Sequence, residues 1–261
     1  MKWKAPVLFL CLAAAALALL SRLSPGKEGT PVSYLPMQPV TLCVATDPHV
    51  LAPELTDGGA AFTETVTHAD GKFMPRIGEI ADALFDRAAS ERPAALILSG
   101  DLTFNGERRS HEAFAAKCAA LEEKGIPVLV LPGNHDLERS DATRFEGDTA
   151  VPVESVSAAD FREIYAPFGY DEAWSEDDHS LSYVYRLCDG LRLLFVDCNS
   201  DAGNDTIPAE TFPWIEAQLQ EAQAAGERVI AVSHQTVLQH NARFVDGFAI
   251  TNREQIGRAH V

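Results

Sequence analysis

Positive charge is scarce in this chain. Its 261 residues carry 21 Lys and Arg against 38 Asp and Glu, a formal net charge of −17. A nucleic-acid partner is excluded by that balance, because phosphate backbones are gripped by Lys and Arg. The surplus carboxylates read as a solvated acidic surface, and an anionic substrate would need a local cation to reverse the field. Cysteine is also thin. Of the five present, none belongs to a CxxC pair, no zinc-finger spacing occurs, and no disulfide framework is laid out. Cys43 falls in a strand pattern and Cys118 on the apolar side of a helix pattern, which predicts buried free thiols. A Cys188–Cys198 bridge is the one pairing left to consider. No internal repeat is present.

What the sequence does have is the composition of a globular chain, 46% hydrophobic and 23% charged. Its length suits one large α/β domain or two small ones. Lys2 and Lys4 precede an apolar run from Ala5 to Leu20, which reads as a signal peptide or a retained membrane anchor. Ala16-Leu17-Ala18 offers a cleavage site, and Leu10 makes Cys11 a poor lipid-attachment residue. Either outcome places the domain outside the membrane, with this segment its only membrane contact. Residues 21–39 are rich in Pro, Gly and Ser and read as a linker.

From residue 40 the chain alternates strand and helix patterns. Strands are expected at Val40–Thr46, Ala94–Ser99, Ile126–Leu131 and Val229–Val232. Helices are expected over 74–90, around Phe114, Cys118 and Leu121, and over 208–225, the last with Pro208 near its start and Gly226 past its end. Ser182–Leu187 and Leu191–Val196 form a hairpin pattern turning at Asp189-Gly190. Residues 51–72 read as a long surface loop, and 137–180 as an irregular insertion over the site with one short helix at 157–166. The alternation implies βαβ units.

Four blocks of metal-ligand residues close four of these strands: Asp47-Pro48-His49, Gly100-Asp101, Gly133-Asn134-His135-Asp136 and Ser233-His234. Ligands of open α/β sheets gather at the carboxyl ends of strands, so the blocks can converge. Asp47, His49, Asp101, Asn134 and His234 offer mixed N and O donors without thiolate, which suits Zn, Mn, Fe, Ni or Co. Five donors exceed one tetrahedral site, and a carboxylate such as Asp101 can bridge two ions. Asp136 also fits an Asx turn. His68, His111 and His179 lie in polar stretches and are expected to be solvated, while His240 is a candidate to line the pocket.

In this order, D-x-H, G-D, G-N-H-D and a later lone His resemble the calcineurin-like metallophosphoesterases. That resemblance implies a four-layer α/β/β/α sandwich and two divalent ions (Mn, Zn, Fe or Ni). It implies Asp47 and His49 on the first ion, Asp101 bridging, and Asn134 and His234 on the second. His135 would contact the substrate phosphate and protonate the leaving group, with Asp136 orienting its imidazole as catalytic partner. The implied substrate is a small phosphorylated molecule, monoester or diester; the alternative is a non-catalytic surface module that binds a phosphorylated ligand. Phe104 stands where purple acid phosphatases place a Tyr, and the Asp-Arg-Gly of protein Ser/Thr phosphatases is missing. GDLTFNGE is more similar to the exported bacterial branch near the cyclic-nucleotide phosphodiesterases.

The family's closing Gly-His-x-His block is not in this sequence, whose last histidine is His260. Ile256–Val261 is also what ATCGGAAGAGCACACGTC, similar to the start of a common sequencing adapter, encodes. Residues 256–261 are therefore expected to be a non-native tail, with residues 40–255 a domain short of its final strand, two ligands and, in this form, much of its activity.

Overall fold

The computed structural model of the protein describes residues 33–68, 72–200, 205–239 and 248–258. Two units divide the chain, Met1–Ser33 and Tyr34–Val261, and every element below belongs to the second. The apolar run at 5–20, His240 and residues 259–261 lie outside the described residues.

The first half of the domain runs β1 (Leu42–Ala45), α1 (Ala60–Thr67), α2 (Ile77–Glu91), β2 (Ala95–Ser99), α3 (Arg108–Glu122) and β3 (Val128–Leu131). The three strands form a parallel sheet in the order β1-β2-β3, with Leu42 opposite Ala95 and Leu96 opposite Val128. Every residue of β2 and β3 is buried. Cover on both faces is why these strands carry no polar alternation. Phe85 of α2 and Phe114 of α3 meet edge to face, 5.6 Å between centroids, above the sheet. Truncating a strand residue here, such as Leu98→Ala, would cost about 2–5 kcal/mol.

The second half runs β4 (Thr143–Glu146), β5 (Thr149–Pro152), α4 (Ala158–Ile164), β6 (Ser175–Glu176), β7 (Tyr183–Cys188), β8 (Leu191–Phe195), α5 (Thr211–Ala225) and β9 (Arg228–Val232). A second sheet forms in the order β6-β7-β8-β9, antiparallel except for the β8–β9 pair that α5 connects. Gly190, at φ 83°, supplies the left-handed turn of the β7–β8 hairpin. Alternation along β7 and β8 then separates two cores. Tyr183, Leu193 and Phe195 pack with the first sheet, while Val184 and Leu194 pack with Phe212 and Ile215 of α5. Tyr183 stacks on Phe195 and donates its hydroxyl to Val130 O at 2.9 Å, pinning one sheet to the other. The layers are thus helices, sheet, sheet, helix: the expected four-layer sandwich.

Several expectations need correction. Residues 51–72 are not a bare loop: they hold a 3-10 turn at Pro53–Leu55 and the helix α1. α1 is threonine-rich and follows two glycines, so its propensity is poor; Phe62, packed on Phe145 at 5.5 Å, holds it through tertiary contact. The stretch 137–180 is more ordered than an irregular insertion, with the β4–β5 hairpin and α4, whose Ser157 and Asp160 form a capping box. His111 is not solvated. It lies on the same face of α3 as Phe114, Cys118 and Leu121 and is fully buried, with Nδ1 3.0 Å from the Tyr165 hydroxyl. Part of the expected linker is tied to the domain, since Leu35 N donates to Gly226 O. Cys43, Cys118, Cys188 and Cys198 are all free, so no Cys188–Cys198 bridge forms. Ile256, the first residue of the expected tail, packs against the cluster that includes Phe212 and Ile215, a contact that leaves that expectation untouched. No helix among the described residues is long and apolar enough to cross a membrane.

Candidate metal centre

The backbone pairing of β1 and β2 continues past both strand ends, and that continuation builds the site. Asp47 N donates to Gly100 O, His49 N to Asp101 O, and Val50 N to Leu102 O at 2.9–3.0 Å. Three non-glycine residues on these loops, Asp47, His49 and Asp101, adopt positive φ of 57°, 42° and 52°. Left-handed backbone costs of order 1–3 kcal/mol per residue and collects at functional sites. Gly133, at the end of β3, leaves room for this: a Cβ there would collide with the backbone N and the carboxylate of Asp101.

Asp101 is the centre of the cluster. Its Oδ2 lies 3.5 Å from His49 Nε2, which is itself 3.6 Å from Asp47 Oδ1. Its Oδ1 lies 3.4 Å from His234 Nε2, which is 3.2 Å from Asn134 Oδ1. One carboxylate thus faces two halves, Asp47 with His49 and Asn134 with His234. Ligand atoms of Asp47, Asp101 and His234 all fall within 4.8 Å of one another. Both imidazoles are aimed from behind. His49 Nδ1 donates to Thr103 O at 3.2 Å and His234 Nδ1 to Ser99 O at 2.8 Å. A carbonyl only accepts, so Nδ1 carries a proton in each ring and Nε2 is the atom turned toward the centre, where it can bind a cation once it is unprotonated.

The electrostatics follow. Burial alone would raise the Asp101 pKa, but the hydrogen bond to His234 and the charges of His234, His135 and His49 hold it far below the usual carboxylate range. Burial would lower His234, yet the hydrogen bond and charge of Asp101 hold it up to about 9. Half-exposed Asp47 is also lowered: burial works against that, and bonds to His49 and Thr46 outweigh it.

His135 stands beside this cluster. Its ring meets the His49 ring edge to face at 4.9 Å, and its backbone N donates to Asp101 Oδ1 at 2.8 Å. Its Nδ1 is 2.8 Å from Asn105 Oδ1 and 3.0 Å from Phe104 O. Asp136 therefore does not orient this imidazole, contrary to expectation. Its Oδ1 accepts from Thr103 N and Oγ1, and its Oδ2 from Leu102 N and Gly133 N, all at 2.8–3.0 Å. A carboxylate two bonds from its own backbone reaches the loops beside it more easily than the ring next in sequence.

Two further contacts went unread in the sequence. Gln235 donates to Asn134 Oδ1 at 3.1 Å and exchanges amide bonds of 3.0 Å with Asn199, linking the ends of β8 and β9 to the Asn134 loop. Asn105 was within reach of motif reading, four residues after Asp101 in GDLTFNGE; nothing in the local sequence marks Asn199.

Comparison with known proteins now decides the family: the profile described as calcineurin-like phosphoesterase matches residues 41–256. The chain belongs to the calcineurin-like phosphoesterase family. A similar fold is the crystal structure of a dimetal phosphatase from Danio rerio, 12% identical, covering 85% of this chain and 77% of that one with a TM-score of 0.55. No curated protein matches the chain. This membership implies a centre of two divalent cations, and the residues fit one. Among the described residues Asp47 and Asp101 make their ion pairs with histidines, the Nε2 atoms of His49 and His234 are turned toward these carboxylates, and the carboxylate of Asp101 raises the pKa of His234, favouring positive charge at this position.

Proposed function

We propose that this calcineurin-like chain hydrolyses phosphomonoesters or phosphodiesters of small molecules at a two-cation centre. The observation that carries the reading is Asp101, whose two carboxylate oxygens each face a separate pair of donors. Asp47 and His49 would hold one ion, Asn134 and His234 the other, and Asp101 both. Bound there, the cations would supply an acidified water and offset phosphoryl charge. The protein's own part is orientation and proton handling. His49 and His234 are fixed by Thr103 O and Ser99 O, so little rearrangement is needed on loading. His135, with Nδ1 committed to Asn105 and Phe104 O, presents Nε2 to the substrate side, where the neutral ring can take up a proton and its imidazolium form can pass one to a leaving oxygen. Burial first, and then the charges of Lys72, His49 and Arg139, lower the pKa of His135 against the opposing charge of Asp101.

The test is turnover of p-nitrophenyl phosphate and bis(p-nitrophenyl) phosphate by stripped protein reloaded with Mn, Zn, Fe or Ni. Metal-dependent release of p-nitrophenol is expected, abolished by chelation; no metal restoring any turnover would sink the reading. The Lys-flanked apolar run at 5–20 supports an exported or anchored location. Fractionating cells that express the chain with and without residues 1–20 checks it, equal partition of both forms being the result against it.

A further inference from the structure

Lys72 stands beside His135, the imidazole next to the metal centre. Its Nζ lies 3.5 Å from His135 Nε2 and 5.8 Å from the centroid of the Phe104 ring. His135 Nδ1 is already occupied by Asn105 and Phe104 O. Nε2 is thus the ring atom left to meet a substrate, and the Lys72 ammonium sits against that same atom.

The geometry points to Lys72 as a residue that selects phosphomonoesters: its ammonium donates to a non-bridging oxygen of a terminal phosphate held beside His135. The inference rests on the phosphoesterase reading above and narrows its substrate class. A monoester near neutral pH is a dianion with three non-bridging oxygens, whereas a diester is a monoanion with two. Two of a monoester's oxygens can face the metal centre and still leave one for Lys72. A diester puts an alkoxy group in that place, which accepts poorly and carries no charge. On a chain of net charge −17 an added negative charge is disfavoured at long range, so the local ammonium is what makes the dianion the better ligand. Charge-assisted hydrogen bonds of this type shift affinity by about ten- to a hundredfold.

The experiment is calorimetric titration of the full 261-residue chain, loaded with Mn2+, with inorganic phosphate and with dimethyl phosphate. Wild type is expected to prefer phosphate, and Lys72→Met to lower the phosphate-to-dimethyl-phosphate affinity ratio about tenfold. Lys72→Arg should keep most of the preference. Mn2+ affinity, titrated separately, reports whether each variant retains its folded metal centre. A ratio unchanged in Lys72→Met, or an equal loss for both ligands, overturns the assignment. Absence of metal-dependent ester turnover by wild type would instead strike the proposed activity, while the two-ligand ratio still reads Lys72.

Discussion

His135 Nδ1 lies 2.8 Å from Asn105 Oδ1, so an amide and not a carboxylate steadies the imidazole beside the metal centre. An amide oxygen fixes the tautomer but offers no net charge to stabilise an imidazolium. Asn105→Ala should free the ring while leaving the metal ligands in place. Turnover is expected to fall about ten- to a hundredfold with little change in metal affinity. Steady-state kinetics beside Mn2+ titration would read this, and an unchanged kcat would remove Asn105 from the account.

Asp136 carries a different load. It accepts hydrogen bonds from Leu102 N, Thr103 N, Thr103 Oγ1 and Gly133 N, tying the loop after β2 to the loop after β3. Asp136→Ala strips four buried donors of their acceptor and should destabilise the fold by roughly 2–5 kcal/mol. Urea denaturation measures the loss. A variant as stable as wild type but catalytically dead would reverse the assignment and restore Asp136 to the chemistry.

Asp101 and Asp47 are expected to differ in metal stoichiometry. Asp101 pairs with both His49 and His234, whereas Asp47 among the described residues pairs directly with His49 and lies farther from His234. Asp101→Asn should strip both ions, and Asp47→Asn only one. Metal analysis after dialysis distinguishes them. Equal metal content in the two variants would end the bridging role.

Legibility in the sequence followed the range of the interaction. Strands β2 and β3 could be read directly, because a strand buried on both faces must be apolar throughout. Gly190 and Gly226 marked their turns, since both need positive φ, 83° and 68°. The convergence of Asp47, His49, Asp101, Asn134 and His234 was legible because each sits where its strand ends. What failed was whatever depends on a distant partner. α1 exists through Phe62 against Phe145, which no local propensity shows. His111 looked solvated beside charged neighbours, although its spacing to Phe114 and Cys118 put it on the buried face of α3. The true partner of His135 could not be chosen between Asp136 and Asn105 without knowing which way the loop after β2 folds over the ring.

Glu107 provides a pH-dependent test of the same loop. It is fully buried at the start of α3; Oε2 accepts from Asn105 N at 3.2 Å, and Oε1 has no hydrogen-bond partner among the described residues. Burial pushes its pKa from an ordinary 4.5 up to about 7, against the opposing bonds from Asn105, its own N–H and Ser110. Below pH 4.5 the carboxyl is protonated in folded and unfolded chains alike, and it exerts no pH-dependent effect. Between 4.5 and about 7 the unfolded chain ionises while the folded one keeps its proton, so stability falls as pH rises. The loss levels off above that window at about 3 kcal/mol. Glu107→Gln removes the titration. Relative to wild type it should gain up to about 3 kcal/mol near pH 8 and almost nothing at low pH. Urea denaturation at both ends of the window decides the matter, because a difference that stays constant with pH would mean that Glu107 is already ionised in the folded protein.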